Sequence, residues 1–142
     1  MIQRRRFLIV AGALLPAIWA PARATPAEVA AAIRDVIGDA KLLRERLKLD
    51  VPVLVENGNA VGLTASIDAL PGEVRAIHVF AEGNPLPNVG HFRFGPRTGR
   101  PRIATRIRLA TSQTVIAIAE MADGTCYTDS VDLLVTLAAC LE

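Results

Sequence analysis

The chain has 142 residues, of which 51% are apolar and 21% charged, so it suits one folded domain and is too apolar for a disordered protein. Its formal charge is +2, but four of its sixteen basic residues lie within the first 24 positions, where no acidic residue occurs. The remainder carries a charge of −2. This balance gives no reason to expect the general attraction to phosphate on which nucleic-acid binding depends.

The first 24 residues have the three parts of an export signal: a basic start, an apolar run over residues 9–20, and an Ala-x-Ala ending at Ala24. The run is shorter than the roughly 20 residues that cross a membrane core, and Pro16 interrupts it, which disfavours a retained anchor. We therefore expect residues 1–24 to be a signal peptide, with a periplasmic destination and no membrane contact after cleavage. Four residues resemble the twin-arginine export signal of bacteria: Arg4, Arg5, Phe7 and Leu8.

Two kinds of hydrophobic spacing follow the signal. Residues 27–48 have apolar positions three and four apart, interrupted at Gly38, which predicts two short amphipathic helices. The spacing then changes to two, which predicts a pair of strands over residues 51–55 and 61–65. The polar stretch between them, residues 56–59, is predicted to be a turn.

Turn residues divide the rest of the chain into six more strand candidates. With the first pair they give seven or eight short strands and no intervening helix, which favours an all-β protein. We predict an immunoglobulin-like antiparallel β-sandwich preceded by short N-terminal helices, with a small barrel as the alternative. The six candidates cover residues 74–81, 89–94, 103–110, 114–121, 125–127 and 130–137.

Two histidines raise the possibility of a Ser-His-Asp hydrolase, but the sequence contains no Gly-x-Ser-x-Gly motif. His78 lies between apolar neighbours in a strand pattern, so a structural hydrogen bond is the favoured interpretation, and His91 is equally uninformative. Neither lies close in sequence to Cys126 or Cys140, the only cysteines, so we expect no metal site and no catalytic residue. The serines weighed as nucleophiles are Ser66, Ser112 and Ser130.

An arginine-rich segment could attract an anion or an acidic partner surface. However, Arg106 and Arg108 alternate with Ile107 and Leu109, as on the solvent face of a half-buried strand. The pattern therefore favours a solvated face over a binding patch. The segment contains Arg93, Arg97, Arg100, Arg102, Arg106 and Arg108.

The tail of the sequence is its most informative part. A strand pattern reaches Leu137, and five further residues include Cys140. Extended at about 3.4 Å per residue, these five would reach at most about 17 Å, enough to enter another protein's cleft. The neighbouring Glu142 offers no group that would activate the thiol, which favours a passive attachment point loaded by partner enzymes over a nucleophile. Three alternatives stay open: a disulfide with Cys126, a redox-active pair of the same two thiols, and an incidental thiol.

Four segments and the tail cysteine, in this order and spacing, resemble SoxY, the sulfur-carrying subunit of the bacterial SoxYZ thiosulfate-oxidation carrier. The resemblance implies an immunoglobulin-like sandwich and a heterodimer with a SoxZ-like β-sandwich subunit. It also implies a non-catalytic carrier whose sulfur intermediates are held covalently on Cys140, with no cofactor, and presented to periplasmic client enzymes. The segments are residues 52–58, 84–87, 105–110 and 115–124.

The arm departs from the usual SoxY ending, Gly-Gly-Cys-Gly-Gly. Here two alanines precede Cys140, and a leucine and a glutamate follow it. Alanine restricts the backbone more than glycine does, so the arm is expected to fit different enzymes, which leaves the cargo open. The ending is similar to a SoxY-related group whose arm reads Ala-Ala-Cys-Ile-Glu. The residues expected to be recognised by client enzymes are Ala138, Ala139, Leu141 and Glu142.

Overall fold

The computed structural model describes residues 22–140. The four residues of the predicted twin-arginine signal, and Leu141 and Glu142, lie outside the described residues. The first element is helix α1, Pro26–Ile37, which begins with a capping box because Thr25 Oγ1 accepts a hydrogen bond from the Glu28 amide at 3.2 Å. The Glu28 carboxylate accepts a hydrogen bond from the Thr25 amide in return. The helix ends at Gly38, whose φ of 63° favours glycine.

The rest of the described chain forms nine strands in two sheets. The strands are β1 Leu42–Leu43, β2 Leu47–Asp50, β3 Leu54–Val55, β4 Val61–Ile67, β5 Val74–Ala81, β6 Asn88–Arg93, β7 Arg102–Ile107, β8 Gln113–Met121 and β9 Cys126–Val135. The larger sheet has the strand order β1-β9-β8-β5-β6, with β3 also paired to β9, and the smaller has the order β2-β4-β7. Strands β1 and β3 run parallel to β9, and all other pairs are antiparallel.

The two sheets pack face to face around one apolar core. Alternate residues of the central strands fill it: Leu63 and Ala65 of β4, and Val115 and Ala117 of β8, are buried. The period of two that predicted strands therefore reflects one face turned to the core and one turned away. The predicted immunoglobulin-like β-sandwich is confirmed.

Helix α1 covers part of the outer face of the larger sheet. Its apolar residues, including Ile33 and Ile37, pack on a small second cluster formed by Phe80, Ile118 and Cys126. The side chain of Cys126, at the start of β9, is consequently enclosed between the helix and the sheet to which β9 belongs. No helix among residues 22–140 is long and apolar enough to cross a membrane.

The second predicted helix is wrong, because β1 and β2 occupy its place. Leu47 and Leu49 are buried and Lys48 and Asp50 exposed, which is the alternation of a strand. The spacing of the leucines fits a helix as well, but pairing with β4 and β9 satisfies the backbone here. Strand pairing at a distance along the chain therefore overrides the local pattern.

The turn predicted over residues 56–59 is present but does not close a hairpin, because β3 and β4 do not pair. Strand β4 pairs with β2, and β3 lies beside β9, so the turn over residues 56–59 connects the two sheets instead. The separate strands predicted over residues 125–127 and 130–137 form the single strand β9.

Candidate functional site

The two cysteines lie beyond bonding distance of each other. Both are free thiols, Cys126 buried and Cys140 exposed. Cys126 begins β9 and Cys140 follows its far end, and a ten-residue strand spans roughly 30 Å at about 3.3 Å per residue. A disulfide requires Cα atoms within about 7 Å, so the disulfide and redox-pair alternatives are both wrong.

The tail stays on the body of the protein past the end of β9. The Leu137 carbonyl accepts a hydrogen bond from the Gly58 amide at 2.7 Å, and the Ala139 amide donates to the Leu109 carbonyl at 2.9 Å. Ala139 is buried with 7% of its surface exposed. The expectation of an arm that projects freely from residue 138 therefore needs correction, because the chain is held at Ala139 and Cys140 is the next residue.

Of the residues expected to contact client enzymes, Ala138 is exposed and Ala139 is buried. An exposed aliphatic surface lies close to them, along β3 and the end of β9. Leu54 and Leu134 are register partners in the parallel pair, so their side chains lie on the same face. We call this the β3–β9 patch; its members, each about 60% exposed, are Val53, Leu54, Leu134 and Leu137.

Cys126 is held in an apolar environment that suppresses its chemistry. It is 1% exposed and packs with Phe80 and Ile118 beneath α1. Burial raises the pKa of the Cys126 thiol, and the carboxylates of Glu120 and Asp123 act in the same direction. A thiol that is enclosed and protonated is a poor nucleophile.

The two histidines meet on neighbouring strands. His78 on β5 is fully buried, and its Nδ1 lies 2.7 Å from Nδ1 of His91 on β6, so one nitrogen donates to the other. Burial is the main reason that the pKa of His78 is lowered, and His91 adds to the effect. The other ring nitrogen, Nε2, lies 3.5 Å from Glu120 Oε2 but makes no hydrogen bond. The structural hydrogen bond expected of His78 is thus confirmed, and it is made by the Nδ1 atom.

No serine completes a hydrolytic triad with these histidines within the described part of the chain. Ser112 Oγ accepts a hydrogen bond from the Val135 amide, and Ser130 Oγ accepts one from Arg44. Ser66 lies on β4 in the other sheet. Among residues 22–140 there is also no group of three or more His, Cys, Asp or Glu side chains that could hold a metal ion.

The arginine-rich segment is exposed to solvent and keeps the alternation of a half-buried strand at its end. Arg106 and Arg108 are exposed, whereas Ile107 and Leu109 are buried. The other four members, Arg93, Arg97, Arg100 and Arg102, are exposed as well.

The family model of the sulfur oxidation protein SoxY matches residues 33–140. The chain belongs to the SoxY family. This confirms the resemblance that the sequence segments indicated, and the more specific likeness to an Ala-Ala-Cys-Ile-Glu arm stays a prediction. A search of curated proteins found no match.

Solved structures share the fold. The sulfur carrier protein SoxY from Chlorobium limicola f thiosulfatophilum superposes with a TM-score of 0.67 at 24% identity, covering 80% of this chain and 100% of that one. A superoxide reductase (neelaredoxin) from Ignicoccus hospitalis gives 0.54 at 19% identity, covering 64% and 80%. A putative superoxide reductase from Thermotoga maritima gives 0.57 at 20%, covering 68% and 93%. At these identities the similarity concerns the fold alone.

The sequence does not reveal the residues that hold the tail of this chain, residues 137–139, in place. The sequence pattern places Gly58 only in a turn and Leu109 only in a strand. Their contacts with Leu137 and Ala139 join segments that are distant in sequence, so no local pattern could reveal them. The available signal was indirect, since both residues fall within segments that resemble SoxY.

Proposed function

We propose that this protein is an exported carrier that holds a sulfur-containing intermediate covalently on Cys140 and presents it to partner enzymes during the oxidation of sulfur compounds. The observation that carries the proposal is the position of Cys140 in a SoxY-family chain. Its thiol is exposed and follows directly on the anchored Ala139, whereas Cys126 is buried. We assign export to the twin-arginine route and the location to the periplasm, which fits a protein transported already folded.

The loading step joins the Cys140 sulfur to a sulfur atom of the substrate. When the Cys140 thiol and a thiol of the substrate form one S–S bond, both S–H bonds break, and two electrons and two protons leave. A partner enzyme therefore supplies both the activating base and the electron acceptor. The carrier itself contributes no catalytic residue to this scheme.

We further propose a SoxZ-like β-sandwich subunit as the permanent partner. The exposed side chains of Leu54 and Leu134, which are register partners on one face, support a protein contact, because clustered exposed aliphatic side chains can mark interaction surfaces. Ala138, Leu141 and Glu142 are the arm elements for client enzymes in this proposal. Ala139 has little exposed surface to offer them and acts as the anchor.

The direct test is the intact mass of the mature protein isolated from its native host, before and after treatment with a reductant. We expect a reducible adduct that maps to Cys140, is absent from Cys140→Ser, and persists in the matched control Cys126→Ser. Protein that carries nothing reducible under any growth condition would contradict the proposal.

A second candidate is an exported interaction subunit in which the tail thiol is incidental. The exposed pair Leu54 and Leu134 favours it, since these residues offer apolar contact area independently of the thiol. The two candidate functions predict different growth defects for two variants. For a carrier, growth on reduced sulfur compounds is lost in Cys140→Ser, whereas for an interaction subunit it is lost in Leu134→Asp and retained in Cys140→Ser.

A further inference from the structure

Three backbone segments meet where the tail leaves the body. The Gly58 amide donates to the Leu137 carbonyl at 2.7 Å, and the Gly58 carbonyl accepts from the Leu109 amide at 2.8 Å. The Leu109 carbonyl in turn accepts from the Ala139 amide at 2.9 Å. Gly58 and Leu109 therefore each use both backbone groups, and together they hold the tail at two points on either side of Ala138.

This arrangement leaves no room for a side chain at residue 58. A Cβ atom there would lie 2.5 Å from the Leu109 carbonyl oxygen, 3.0 Å from the Ala139 nitrogen and 3.1 Å from the Leu137 carbonyl oxygen. All three are backbone atoms, so none can move aside as a flexible side chain would. Glycine is required here by the close approach of the tail.

A buried asparagine supports the segment that contains Leu109. Asn84 is 3% exposed, and its Nδ2 donates to the Arg108 carbonyl at 2.8 Å. Its Oδ1 accepts from the Ala110 amide at 3.0 Å and from Gln113 Nε2 at 3.1 Å. The side chain thus forms hydrogen bonds with the backbone on both sides of Leu109, which fixes the direction of the Leu109 carbonyl.

We propose that Gly58, Leu109 and Asn84 form a clasp that fixes the point at which Cys140 leaves the body. They are positioning residues, and the proposal rests on the carrier function assigned to Cys140. Consecutive Cα atoms lie about 3.8 Å apart, so a thiol one residue beyond Ala139 stays within a few ångströms of the protein surface. A client enzyme then meets the thiol of Cys140 beside the body of the carrier.

Amide hydrogen exchange, followed residue by residue by NMR, tests the clasp. In the unmodified protein we expect the amides of Gly58, Leu109 and Ala139 to be protected. In Gly58→Ala, exchange at Leu109 and Ala139 should accelerate on the order of tenfold or more, while the central amides of β5 and β8 keep their rates. The matched control is Gly62→Ala on β4, because a Cβ at Gly62 meets nothing within 4 Å. It should change none of these rates.

A nitroxide label on Cys140, in a Cys126→Ser background, adds a second measurement. We expect restricted label motion in the parent and freer motion in Gly58→Ala and in Ala139→Pro, which lacks the amide proton that Leu109 accepts. The rate at which unlabelled Cys140 reacts with a small disulfide reagent should stay within about twofold in both variants, because the thiol is exposed in either case.

The clasp is overturned if the Ala139 amide exchanges freely in the parent protein, a measurement that stands even where Gly58→Ala fails to fold. It is also overturned if label motion is the same in the parent and in Ala139→Pro. Neither result concerns the adduct on Cys140. A protected tail without a reducible adduct would instead remove the carrier function and leave the clasp in place, so the two failures are distinguishable.

Discussion

The two ends of β9 place the two cysteines of this chain in opposite surroundings. At the start of the strand, Cys126 is enclosed by Phe80, Ile118 and helix α1. Beyond the other end, Cys140 is exposed although the preceding residue is held on the body. The strand end covered by the helix is stabilised by apolar side chains, and the tail end by backbone hydrogen bonds. One sulfur is therefore kept out of reach, and the other is kept within reach at a fixed place.

The largest expected effect is the difference in reactivity between the two thiols. With iodoacetamide at neutral pH, we expect Cys140 in the folded protein to react roughly a thousandfold faster than Cys126, whose modification requires local opening of the helix-covered cluster. Burial raises the pKa of Cys126, which slows it further. Peptide mass spectrometry of a time course measures both rates. In urea the two rates should converge, and comparable rates without urea would break the contrast between the two ends.

Removing a side chain from the cluster around Cys126 should narrow the difference in reactivity between the two thiols. Phe80→Ala removes a fully buried aromatic ring and should lower the free energy of unfolding by about 3 kcal/mol or more. It should also raise the reactivity of Cys126 and leave that of Cys140 unchanged. Urea unfolding measures the first effect and alkylation the second. The control is Leu86→Ala, where the leucine is 79% exposed and the expected change is below about 0.5 kcal/mol.

The secondary structure around the helix-covered start of β9 could be predicted from the sequence better than the position of the tail that follows its other end. The predicted strand over residues 74–81 coincides with β5, and a helix starting near residue 27 corresponds to α1. Both have a hydrophobic period that repeats long enough to identify the element. The predicted strand over residues 125–127 includes Cys126, which begins β9.

The position of the tail depends on contacts between distant segments, which a hydrophobic period in the sequence does not predict. Strands β1 and β3 are two residues long and exist because β9 supplies parallel partners far along the chain. Ala139 likewise stays on the body through a carbonyl of Leu109 and a glycine that local sequence places in a turn. The accessible thiol could be predicted from its position in the sequence. The point at which it leaves the body could not, because backbone hydrogen bonds carry no residue-specific signal.

A smaller effect is expected at the start of α1, which covers the Cys126 end. Thr25→Ala removes the hydroxyl that caps the helix through the Glu28 amide and should cost about 1 kcal/mol of unfolding free energy. Thr25→Ser keeps a hydroxyl and should restore most of it. Urea unfolding of the three proteins measures the difference. A loss in Thr25→Ser equal to that in Thr25→Ala would show that the capping bond is not the cause.

The smallest effect is a pH dependence from His78, on the same strand as Phe80. Its surroundings contain His91, whose Nδ1 lies 2.7 Å away, the Glu120 carboxylate at 3.5 Å, and the nearby guanidinium of Arg93. Burial lowers the pKa of His78, and His91 and Arg93 act in the same direction. Glu120 favours the protonated form, but its influence is smaller than that of burial.

The pKa of His78 is lower in the folded protein than in the unfolded chain. As the pH falls, the unfolded chain therefore takes up the His78 proton first, and this favours unfolding. Stability should therefore be full above the ordinary histidine pKa of about 6.5 and decline as the pH falls from there towards 5. Glu28, whose pKa is lowered by its hydrogen bonds to Thr25, titrates below this range and does not interfere. Urea midpoints at pH 5, 6, 7 and 8 measure the slope. We expect a flatter slope in His78→Gln, and an equal slope in both proteins would assign the pH dependence to other groups.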